Sequence, residues 1–164
     1  MRRSRPRSKP NAIEVSERDE VRRMALSLLA RREHSSRELH FKLTARGCAE
    51  SDVVAVLATL RGERLLSDDR FAEAYVASRR ERGYGPLRIE AELRERGIGD
   101  ETIAAYLDES ERDWLDRARA VREKRFGTAL PGSAAEQAKQ IRFLNYRGFG
   151  SEHIRKALRG DAEC

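Results

Sequence analysis

The sequence predicts an all-α protein made of three tandem three-helix repeats, each resembling a helix-turn-helix, set in an elongated array. Three observations carry that prediction. Leu43-Thr-Ala-Arg46-Gly47-Cys48, Leu93-Arg-Glu-Arg96-Gly97-Ile98 and Leu144-Asn-Tyr-Arg147-Gly148-Phe149 align on their glycines, which lie 50 and 51 residues apart. Apolar residues keep the same register: Val53, Ile103 and Ile154 stand six positions after each glycine, and Leu57, Leu107 and Leu158 stand ten after. No stretch alternates apolar and polar residues as a half-buried strand does. With 38% charged residues, 6% aromatics and a mean hydropathy of -0.75, a chain of 164 residues suits slender amphipathic helices better than one thick globule.

Each element has its own signal. Residues 1–15 read as a disordered basic arm, because Arg2, Arg3, Arg5, Arg7 and Lys9 accompany Pro6 and Pro10 with almost nothing to bury. The repeats then span 16–65, 66–110 and 111–160. Their leading helices are expected at 17–32, 68–82 and 111–124, their second helices at 36–46, 86–96 and 134–147, and their third at 51–61, 100–109 and 151–158. In the middle repeat, Phe71 and Tyr75 share a stripe with Ala72 and Val76 at half-buried helical spacing, and Ser67 or Asp68 stands where an N-cap belongs. Gly83-Tyr84-Gly85-Pro86 breaks the chain, and Pro86 suits a first helical turn. Ile89 and Leu93 follow four apart, and Gly97 supplies a left-handed stop onto which Ile98 folds back. The last repeat differs by a longer connector at 126–133, suited to a hinge or a contact.

The formal charge of +6 is unevenly placed. The arm holds five cations, 11–64 balance ten cations against nine acids, 65–110 carry seven against eleven, and 111–164 carry twelve against eight. Cys48 and Cys164 cannot staple a scaffold, so a reducing cytoplasm is the expected compartment. No apolar region follows the basic start, and the longest apolar run, 53–60, is far too short to span a bilayer.

The chemistry of catalysis is missing from these motifs. Asp68 and Asp69 are adjacent, so they diverge on a helix and are better placed to complement its first amides. His34, His40 and His153 lie apart, without a cysteine or acid at ligand spacing, so no metal and no cofactor is expected. There is no phosphate-cradling glycine loop, and Gly83-Tyr84-Gly85 reads as helix punctuation. No enzyme is expected.

Binding is the alternative. The third helices occupy the place of recognition helices, yet two of them open on Glu50-Ser51-Asp52 and Asp100-Glu101, which phosphates would repel. Only the last, with His153, Arg155, Lys156 and Arg159, offers a face that phosphates would accept. The arginines before each stop glycine, Arg46, Arg96 and Arg147, fit the negative helix end. A denser run is harder to explain by solubility: residues 117–159 hold eleven cations against three acids. Arg122, Lys124, Arg125, Lys139, Arg142, Arg147, Arg155, Lys156 and Arg159 are therefore expected to form a docking face for an acidic partner or nucleic acid.

The middle of the chain also carries a resemblance. Ser-Asp-Asp-Arg-Phe-Ala-Glu-Ala-Tyr at 67–75, Gly-Tyr-Gly-Pro-Leu-Arg-Ile-Glu-Ala-Glu-Leu at 83–93 and Arg-Glu-Arg-Gly-Ile at 94–98 together resemble the central signature of the RecX family of regulatory proteins. The resemblance runs from about residue 21 to 158. It implies a partner, the RecA recombinase as its filament on single-stranded DNA, whose ATP hydrolysis and strand exchange such a protein suppresses. The charge layout fits competitive occupancy of that filament by a monomer, with weak, nonspecific contact to single-stranded DNA. Reversing Arg142, Arg147 and Arg155 is then expected to abolish inhibition with the fold intact. The rival reading is a helix-turn-helix DNA-binding regulator acting alone.

Overall fold

The computed structural model describes residues 12–108 and 110–159. They form nine helices in three triplets: α1 (Ala12–Leu29), α2 (Ser36–Thr44) and α3 (Glu50–Gly62); α4 (Asp68–Glu81), α5 (Pro86–Glu95) and α6 (Asp100–Leu107); α7 (Glu111–Phe126), α8 (Ala134–Arg147) and α9 (Ser151–Ala157). No strand occurs among the described residues. Most of the expected basic arm lies outside them. Its last four residues do not: α1 begins at Ala12 rather than near 17.

The described residues group into two compact units, one running up to Asp68 and the other from Asp69 onward. The first holds one repeat. In it Val21 and Ala25 of α1, Leu39 and Leu43 of α2, and Val53, Leu57 and Leu60 of α3 are buried against each other. Full burial of a leucine is worth about 2 kcal/mol, so this core of aliphatic side chains is what offsets the entropy of ordering three short helices. Ser35, itself fully buried, caps α2 by accepting the Glu38 amide at 3.1 Å. Asp68, the first residue of α4, accepts the Ser36 amide at 2.6 Å and so also complements the start of α2. His34 is buried, with Nδ1 3.0 Å from the Arg32 carbonyl and Nε2 3.0 Å from Lys42 Nζ. A neutral ring donating from Nδ1 and accepting at Nε2 satisfies both, and burial holds its pKa below the usual histidine range.

The second unit fuses the other two repeats on one core. Phe71, Ala72, Val76, Ile89, Leu93, Ile98 and Ile103 pack in the same cluster as Trp114, Ala118, Leu144, Phe149, Ile154 and Leu158. The stop motif works alike in every repeat: the carbonyls of Leu43, Leu93 and Leu144 accept the amides of Cys48, Ile98 and Phe149, at 3.2, 3.1 and 3.1 Å. Gly47, Gly97 and Gly148 make those turns with φ of +85°, +78° and +91°.

The two repeats of this unit are joined backbone to backbone. Gly85 donates to the Arg147 carbonyl at 2.8 Å and Leu87 to that of Gly148 at 3.1 Å. A Cβ on Gly85 would lie 2.4 Å from the Gly148 oxygen, and one on Gly148 would lie 2.3 Å from Arg88 Cβ. The Gly83-Tyr84-Gly85 motif is therefore more than helix punctuation: its second glycine is where two repeats touch without side chains between them.

Candidate interaction surface

Cations from three helices of the second unit converge on one cleft of about 420 Å³. Arg80 and Arg82, at the end of α4, face Arg117, Lys124 and Arg125 of α7 and Arg147 of α8, with Val121 and Phe143 as apolar wall and Glu81 as the acid. The α4 end can sit there because Gly83, with φ of +75°, turns the chain sharply against Val121, whose Cγ2 would be 2.7 Å from an added Cβ. On α7, Val121 and Arg125 continue the stripe of Trp114 and Ala118, which are buried, and the guanidiniums of Arg80 and Arg117 lie over the Trp114 ring at 5.3 and 5.9 Å.

Of the nine cations expected to form a docking face, Lys124, Arg125 and Arg147 line this cleft. Lys139 and Arg142 are exposed on α8, and Lys156 is exposed on α9. Arg155 and Arg159 line a second groove, about 270 Å³, between α8 and α9 with Gln137, Asn145 and Ser151. Arg155 is ion-paired to Glu152, whose carboxyl it holds below the usual range.

Three expectations need correction. Arg122 belongs to no surface: it is 2% exposed, and its guanidinium donates to the carbonyls of Ala129 at 3.0 Å and Thr128 at 3.3 Å, pinning the connector. Arg147 is partly structural. It donates to the Arg82 carbonyl at 2.7 Å, capping α4, and its guanidinium lies over Tyr84 and Phe143. Reversing it would disturb the fold, contrary to the triple reversal expected from sequence. His153 is buried, so it faces the core rather than phosphates.

A second construction was not visible in the spacing. Arginines and tyrosines alternate through the joined repeats: Arg96 over Tyr75 at 4.7 Å, Arg79 over Tyr75 and over Tyr84 at 5.0 Å each, and Arg88 over Tyr84 at 4.6 Å and over Tyr146 at 4.9 Å. Glu92 anchors them. It accepts from the Tyr75 hydroxyl at 2.7 Å and from Arg88 at 3.0 Å, and pairs with Arg79 at 2.7 Å. Burial pushes its pKa up, but these hydrogen bonds and charges outweigh that and hold the carboxyl below the usual range. Burial and the same carboxylate push the Tyr75 hydroxyl up. The one signal in sequence was the density of Arg79, Arg80, Arg82 and Tyr84 around the glycine break.

Two of the third helices keep the acidic openings read from sequence, with Glu50 and Asp52 in α3 and Asp100 and Glu101 in α6, while in α9 the first-turn acid, Glu152, pairs with Arg155. Among the described residues no three histidine, cysteine or acidic side chains gather as a metal site would require. No described helix is long and apolar enough to cross a membrane.

Models of three protein domains match this chain: the first three-helix domain of RecX over residues 22–60, the second over 67–107 and the third over 111–158. The chain belongs to the RecX family. A regulatory protein RecX from Halorhodospira halophila is 51% identical over 137 residues, covering 84% of this chain and 85% of that protein. One from Pseudomonas fluorescens is 44% identical over 140 residues, covering 85% and 90%. The crystal structure of RecX from Lactobacillus salivarius superposes with a TM-score of 0.74 at 21% identity, over 87% of this chain and 95% of that one, and so supports the fold. RecX membership makes this a chain from a family of regulatory proteins, and the three helix triplets are the RecX domains.

Proposed function

We propose that this RecX-family chain is a non-enzymatic, cytoplasmic modulator of the RecA recombinase, acting as a monomer. It binds the RecA filament on single-stranded DNA, inhibits ATP hydrolysis and strand exchange there, and so regulates DNA repair and recombination. The observation that carries this reading beyond family membership is the cleft of the second unit, where six cations from three helices share one wall. A surface of that density is suited to a large anionic assembly, whose encounter it would speed in a salt-dependent way.

The test is binding to RecA filaments, to bare single strands and to duplex, each at two salt concentrations. Tightest binding to filaments supports the proposal. Tight, sequence-dependent duplex binding that ignores RecA would favour the stand-alone DNA-binding regulator instead. The acidic first turns of α3 and α6 weigh against that outcome.

A further inference from the structure

The outer face of α8 lies between the two grooves of the second unit: Phe143 and Arg147 turn toward the cationic cleft, while Gln137, Ile141 and Asn145 turn toward the groove beside α9. Lys139, Arg142 and Tyr146 stand between them at spacings of three and four, which puts them on one stripe. From Gln137 to Arg147 the sequence contains no acid. Tyr146 is 70% exposed, an uncommon position for a large aromatic ring, and on α5 nearby Leu87, bonded to the Gly148 carbonyl, is 56% exposed.

Tyr146 is held in a particular way. It is the last ring of the alternating series of arginines and tyrosines, with the Arg88 guanidinium 4.9 Å from its centroid and Arg88 also donating to its carbonyl at 3.0 Å. Arg88 in turn is fixed by Glu92 at 3.0 Å and by Tyr84. The ring is thus oriented before any ligand arrives, at no further ordering cost, and a planar group laid on it would continue the series.

We propose that this face binds single-stranded nucleic acid, with Tyr146 as the platform on which one base stacks and Lys139 and Arg142 as contacts to neighbouring phosphates. Seven residues of helix cover about 10 Å, enough for the three side chains to meet successive parts of one extended strand. A duplex buries its base faces and offers Tyr146 nothing to stack on. An acidic peptide would satisfy Lys139 and Arg142 but leaves the exposed ring without a flat partner. Base stacking on an aromatic platform is tolerant of sequence, so little base preference is expected. The inference concerns this chain alone and does not depend on RecA.

The experiment is fluorescence anisotropy of a labelled oligothymidylate, and of an abasic oligonucleotide of equal length, without RecA. Tyr146→Ala is expected to weaken oligothymidylate binding by about ten-fold or more and abasic binding hardly at all, while Tyr146→Phe binds as the parent does. Lys139→Glu with Arg142→Glu weakens both ligands and flattens the salt dependence by the equivalent of roughly two phosphates. Thermal melting by circular dichroism accompanies each variant. Should Tyr146→Ala melt early, Tyr146→Leu, which keeps bulk over Arg88, is compared in its place. Equal losses on the two ligands, or unchanged oligothymidylate binding by a folded Tyr146 variant, overturn the proposal. So does tighter Tyr146-dependent binding to polyglutamate than to oligothymidylate.

Discussion

Gly148 and Glu92 are the residues on which the second unit turns. Gly148 combines a φ of +91° with contact against Arg88, so a methyl group there is strained in its own backbone and strikes a neighbour. Gly148→Ala should cost the second unit upward of about 2 kcal/mol. Gly62→Ala, at the end of α3 with nothing near an added Cβ, should instead be neutral or stabilise the first unit by up to about 1 kcal/mol. Urea unfolding of the two variants gives the comparison. Glu92 sets a pH dependence. Its folded-state pKa lies below its unfolded value, so its contribution is fully present above about pH 4.3 and is lost as pH falls through the lower folded value. Glu92→Gln should lower stability at neutral pH and flatten the acid limb of the stability profile; an unaltered limb would remove Glu92 from that role. These residues also mark where sequence reading stopped. The need for glycine at 148 was legible as a helix stop, but its approach to Gly85 joins residues 63 positions apart, which no local pattern records. Nothing in the sequence sets Glu92 apart from Glu90 and Glu95 on α5, and only the packing of Tyr75, Arg79 and Arg88 around it distinguishes it.

At the scale of elements, the helices were largely legible because three signals coincided: apolar spacing, a capping residue and a glycine stop. The strongest case is α8, expected at 134–147 and found as Ala134–Arg147 between the Ser133 cap and Gly148. The weakest is α1, expected from about 17 because the polar stretch before it reads with the basic arm, and found to run back to Ala12. The connector between α7 and α8 was read as a hinge or a contact because it is long. It is tied down from beneath, which argues against a hinge, with Arg122 gripping two of its carbonyls and Gly132 donating to Glu136 at 2.8 Å. Arg122→Met removes both carbonyl contacts while keeping an apolar stem. It should leave the helical signal intact but speed proteolytic cleavage within 126–133, and Arg122→Lys should rescue little, since an ammonium lacks the planar fork. Cleavage at the parental rate would mean that the connector holds itself.

The whole chain divides its labour by unit. The first closes a small aliphatic core on its own, and the second joins two repeats through Gly85 and Gly148 and places the basic cleft and the α8 face on that joint. Charge counting found the cationic stretch of 117–159, but it could not separate Arg122 and Arg147, which serve the fold, from Lys124, Arg125, Lys139 and Arg142, which face outward. Nor could it enlist Arg80 and Arg82, which belong to a repeat whose net charge is negative. The central claim is that the outward set acts on RecA. The direct measurement is ATP hydrolysis by RecA on single-stranded DNA, titrated with the parent chain and with Lys124→Glu combined with Arg125→Glu. Hydrolysis should fall steeply with the parent, and the equally folded double variant should need at least about ten times more protein for the same effect. Hydrolysis that ignores the parent chain, or that the double variant suppresses as strongly, would contradict it.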